Sequence, residues 1–115
     1  MIFKKNNVVA TKIQWTAPTV REDGSTYSAA QHAGYELGVS DPANPTDGFA
    51  PFVSVPAAYN VTEWLLNNLN IGESDTYEVA LRTVDTDGLT SAWSNSMVFT
   101  AENARPNAPD GFNVL

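Results

Sequence analysis

Catalysis needs polar groups that converge, and this chain offers few. His32 is its one histidine, so a Ser-His-Asp nucleophile system is arithmetically possible, but no nucleophile-elbow motif accompanies it and an ordinary loop role is expected. Glu22-Asp23 and the pair Asp85 and Asp87 could serve acid/base work. Both lie in turn-like sequence, where carboxylates accept local backbone hydrogen bonds. Asp85-Thr-Asp87-Gly88 repeats a fragment of a calcium loop without the further ligands or the closing glutamate, so a hairpin turn accounts for it better. There is no glycine-rich phosphate loop. Asn60-Val-Thr62 is a glycosylation sequon that matters only in a secretory pathway. No catalytic residue, metal site or cofactor is expected.

Aromatic side chains could instead stack on sugar. Trp15 and Trp93 sit where a folded core or its edge would use them, whereas Trp64, Tyr27 and Tyr59 are less determined. A flat exposed cluster of these three would make surface carbohydrate a partner.

The elements that position these groups must come from 115 residues, enough for one domain with one core between two sheets. The chain has no cysteine, so neither a disulfide framework nor a thiolate metal site is available to it. Lys4, Lys5 and Lys12 give the first twelve residues +3, leaving −10 on the rest. Phosphate binding needs a basic surface, so nucleic acid is not an expected partner. The asymmetry reads as a solvated acidic face, or as a basic end that meets the acidic body of a neighbour. No apolar run reaches the roughly 20 residues of a membrane span, so no membrane insertion is expected. Met1-Ile-Phe-Lys-Lys has no signal-peptide core after it.

Period-two alternation dominates, and the fold class is read as all-β. Val9, Thr11, Ile13 and Trp15 alternate up to Pro18, which ends the strand; a polar loop then runs from Thr19 to about His32. Tyr35, Leu37 and Val39 form the next strand, closed by Asp41-Pro42 and Asn44-Pro45. Phe52–Val55 is short and fenced by prolines, and Val61–Leu66 reads as a strand that also tolerates a helical turn. Tyr77, Val79, Leu81 and Thr83 give the clearest strand; Gly88 turns the chain, and Asn95–Ala101 returns it. With Met1–Lys5 as a short first strand, about seven antiparallel strands in two sheets are expected, a β-sandwich.

The ordered set Trp15, Tyr35, Leu69, Tyr77, Gly88 and Trp93-Ser94 resembles a fibronectin type III domain over about Val9 to Thr100. The resemblance implies a core built on Trp15, Tyr35, Leu37, Leu69, Tyr77, Val79 and Leu81. It also implies a tyrosine corner in which the Tyr77 hydroxyl bonds backbone near Leu69 to Gly72. Domains of this family usually open with a proline-containing strand. This sequence lacks one at its start but carries such a segment, Arg105-Pro-Asn-Ala-Pro-Asp-Gly-Phe-Asn-Val-Leu115, at its end. Residues 1–103 are therefore read as the sandwich and 104–115 as an extended arm or linker. The arm is either a surface-draped tail or a strand that pairs with a neighbouring subunit, with Pro106 and Pro109 stiffening it and Phe112, Val114 and Leu115 as anchors.

These readings favour a non-catalytic structural or adhesive module with protein partners in a larger assembly, possibly copies of itself. Phage structural proteins carry similar domains, and a Met-initiated single sandwich without a signal peptide suits a virion protein: a head decoration, neck or tail component. The expected location is the virion or an extracellular surface. The alternative is a carbohydrate-binding or spacer domain from a secreted bacterial enzyme.

Overall fold

The computed structural model describes residues 1–44 and 47–115, so Pro45 of the expected Asn44-Pro45 turn lies outside the described residues. The described chain forms eight strands in two antiparallel sheets, a β-sandwich without an α-helix. The larger sheet takes the order β2-β1-β8-β7-β4-β5, built from β1 (Ile2–Lys5), β2 (Val8–Ala10), β4 (His32–Ser40), β5 (Phe49–Val55), β7 (Asp75–Asp85) and β8 (Met97–Glu102). The smaller pairs β3 (Lys12–Gln14) with β6 (Glu63–Leu65).

The alternating segments end up where one face of a sheet is buried. In β4, Tyr35 and Leu37 point into the core, and in β7 so do Tyr77 and Val79. Leu69 is fully buried beneath them, at the end of a 3-10 turn over Leu66–Leu69 that follows β6 directly. Phe99, Val55, Leu66 and Ile13 complete the same cluster. The helical tendency of Glu63–Leu69 is thus realised as one tight turn, closed by Asn70 at a left-handed φ of 53°.

Two expectations are corrected. The stretch from Val9 to Trp15 is not one strand. Asn6 and Asn7, at φ 52° and 64°, form a two-residue reversal that pairs Lys5 with Val8, so β1 and β2 make a hairpin. Two successive positive-φ residues are what a type I′ turn requires, and asparagine tolerates them. The chain then changes sheets at Thr11, and only β3 continues into the smaller sheet. The second correction concerns the core. Trp15 and Leu81 are half-buried and pack against it from one side, because β3 ends at Gln14 with no strand beyond it.

Burial predicts a graded response to truncation. Leu69→Ala should cost about 2–5 kcal/mol in urea unfolding, the usual range for a fully buried leucine. Leu81→Ala should cost distinctly less, since part of its side chain already faces water. Equal losses at the two positions would show that the side of the core next to β3 is covered in solution.

Candidate functional site

His32 is the first residue of β4 rather than part of a loop, and both of its ring nitrogens are committed. Nε2 lies 2.9 Å from the Ala57 carbonyl, an acceptor only, so in the neutral ring Nε2 carries the proton and Nδ1 accepts from the Tyr27 hydroxyl at 3.0 Å. No serine takes part. Tyr27 itself is buried, although it lies in the stretch read from sequence as a polar loop.

Asp85 is likewise structural. It is 4% exposed and ends β7. Its Oδ1 accepts the backbone N–H groups of Asp87 and Leu89, both at 2.9 Å, and its Oδ2 accepts from Arg21 at 3.0 Å. Gly88, at φ 83°, completes the turn. Burial on its own would raise the carboxyl. The Leu89 amide, Arg21 and the Asp87 amide outweigh it and hold Asp85 below its ordinary value. Asp23 is a second turn carboxylate, kept low by hydrogen bonds from the Ser25 hydroxyl and amide. Among the described residues no three His, Asp or Glu side chains group as a metal site would need.

The tyrosine corner is displaced from its expected place. The Tyr77 hydroxyl donates to the Glu73 carbonyl at 2.8 Å, not to Leu69–Gly72, because the inserted Gly72-Glu-Ser-Asp75 brings its own carbonyl within reach. The aromatics do not form one flat exposed platform. Tyr59 donates to the Pro18 carbonyl, and Trp64 packs half-buried against the core from β6. Trp93 lies over Gly38, so close that a Cβ there would sit 2.6 Å from its ring, and Arg82 stacks on it at 4.3 Å while pairing with Glu36. Beside it Ser91 and Ser94 accept the Thr83 and Leu81 amides with their hydroxyls, standing in for a regular ladder along the second half of β7.

One open cleft, of about 480 Å³, lies between β3 and β7. Ile13, Trp15, Tyr35, Leu37, Leu81 and Met97 line it, with Ser91, Ala92, Ser94 and Asn95 forming its rim. The Trp15 indole N–H and the Tyr35 hydroxyl are buried without a partner of hydrogen-bond geometry. Their rings are 4.9 Å apart. Burial raises the Tyr35 phenol, and the neighbouring indole offsets part of that effect.

The arm leaves the sandwich after Asn103, whose amide bonds the Ser74 hydroxyl at 3.1 Å. From there Pro106, Pro109, Phe112, Val114 and Leu115 are all exposed and belong to no strand. Phe112 is 94% and Val114 88% exposed. The molecule measures 76 Å along its long axis, against about 37 Å for the 11 residues of β7 at strand rise, so the arm projects outward rather than draping. Lys4 and Lys12 of the basic end are paired within the chain, to Glu102 and Glu63. Among the described residues no helix is long and apolar enough to cross a membrane.

Comparison with protein-family models, with curated proteins and with solved structures finds no match.

Two substitutions check the polar contacts. Tyr77→Phe should lose roughly 0.5–1.5 kcal/mol, one net hydrogen bond, in chemical denaturation. Asp85 has a folded pKa below its ordinary value near 3.8, so its contribution to stability is present above that value and disappears as pH falls through the lower folded one. Denaturation midpoints measured from about pH 6 down to 2 should therefore fall less steeply below about pH 4 in Asp85→Asn than in the wild type. Parallel curves would mean that Asp85 is not held low.

Proposed function

We propose that this chain is a non-catalytic interaction module of the fibronectin type III kind, acting as a structural component of a larger assembly. The observation that carries the reading is the arm: Phe112, Val114 and Leu115 are 94%, 88% and fully exposed, more than any large apolar residue of the sandwich itself. Apolar surface of this kind is stabilised by about 25 cal/mol per Å² when a partner covers it. The ionisable groups with catalytic potential, His32 and Asp85, are spent on holding the fold. The assembly we favour is a bacteriophage virion, in which the chain would serve as a head decoration, neck or tail protein.

An antibody raised against the purified chain should label intact particles released from cells that express the gene. Labelling confined to unassembled protein would overturn the virion reading. Saturable binding to a glycan array, lost on Trp64→Ala, would move the function to carbohydrate recognition.

A further inference from the structure

Among the described residues the smaller sheet has two strands, so β3 has one edge that no strand pairs. Thr11, Ile13 and Trp15 direct their backbone groups toward β6, as shown by the bonds from the Trp15 amide to the Thr62 carbonyl and from the Leu66 amide to the Thr11 carbonyl, both 2.9 Å. In an antiparallel pair the intervening residues face the other way. The amides and carbonyls of Lys12 and Gln14 therefore point out of the sheet, along an edge that no strand pairs. The cleft opens on that same side of β3. It leaves Trp15, Leu81 and Met97, which pack against the core, partly exposed. An unpaired backbone edge beside an open apolar cleft is the arrangement that accepts an added strand.

The chain carries a strand of the right kind. In the arm, Phe112 and Val114 fall on one face of an extended segment and Asn113 and Leu115 on the other, so one face can enter the cleft while the backbone pairs with β3. Its own cleft is poorly placed to receive it. Met97, at the start of β8, lines the cleft, whereas the arm departs beyond Glu102 at the other end of that strand. Pro106 and Pro109 hold the departing segment extended. The arm thus departs from the end of β8 opposite its own cleft.

We propose that the cleft beside β3 binds the Phe112–Leu115 segment of a second copy of this chain as an added strand, joining copies head to tail. The inference rests on the interaction-module reading and names the partner and the seat. Because the two surfaces differ, the contact is heterologous and leaves a cleft free at one end of every oligomer and an arm at the other.

The test uses the full chain in one arm variant and two cleft variants. Phe112→Asp/Val114→Asp disables the arm at exposed positions outside the sandwich. Gln14→Pro removes an outward amide while leaving the bonds to β6, since proline is tolerated on a strand edge. Ala92→Trp, at an exposed rim position, blocks the cleft by bulk should Gln14→Pro fail to fold, as judged by thermal melting. Light scattering should show concentration-dependent oligomers for the wild type and monomers for each variant alone. An equimolar mixture of an arm variant and a cleft variant should form a 1:1 dimer and nothing larger, with the Lys12 and Gln14 amides becoming protected from exchange in any copy whose cleft is filled and whose residue 14 is unchanged. A wild type that is monomeric at every concentration overturns the proposal, while the particle labelling above judges the broader reading separately. Arm variants that still self-associate, or a mixture that stays monomeric, overturn it as well.

Discussion

The reversal at Asn6-Asn7 is the constraint from which the rest of the architecture follows. Two adjacent residues in the left-handed region turn the chain within two positions, so that β1 lies between β2 and β8 instead of lying beside β3. Phe3 is thereby carried into the core against Phe99, with ring centroids 6.0 Å apart, and the larger sheet gains its fifth and sixth strands. The same turn takes the N-terminal strand away from the smaller sheet. A two-stranded sheet covers less of the six-stranded one, and the uncovered part is the cleft beside Trp15. The width of one sheet and the narrowness of the other are two consequences of one backbone choice.

Much of the sandwich was legible because its central strands are buried on one face. Tyr35-Leu37 and Tyr77-Val79 alternate since their neighbours in β4 and β7 face the other side of the sheet. The break between β2 and β3 was not legible. Val9, Thr11, Ile13 and Trp15 keep a period of two straight through the change of sheet, and periodicity reports which face a residue occupies without saying which sheet it belongs to. Asn6-Asn7 was the available signal, but Asn-Asn is a weaker hairpin cue than Asn-Gly. The burial of Tyr27 was hidden for another reason. It depends on packing against Tyr59 from a distant segment, and no local pattern records that.

The cleft was beyond sequence reasoning altogether, because it is defined by a strand that is not there. Trp15 and Leu81 carry the same pattern as fully buried residues, and their exposure comes from what fails to cover them. The arm was visible as composition, but its seat was not. Strand β1 offers it no seat, being paired on both sides, by β2 and by β8. The unprotected backbone lies on β3 instead.

Electrostatics acts here mainly within the chain. Lys4 and Lys12 each face a carboxylate at the surface, pairs that add little stability, and Arg21 and Arg82 are engaged by Asp85 and Glu36. The acidic excess is thus left distributed over the body of the sandwich, where it disfavours nonspecific clustering of copies. A contact between copies has to overcome that repulsion through directional hydrogen bonds and apolar burial. Strand addition supplies both, because backbone pairing fixes register while alternate side chains fill the cleft. The prolines lower the entropy lost when the arm is ordered, since their φ is already restricted before docking. In the head-to-tail contact proposed above, an acidic body and a stiff apolar arm would work together: the first would suppress random association, and the second would confine association to one geometry.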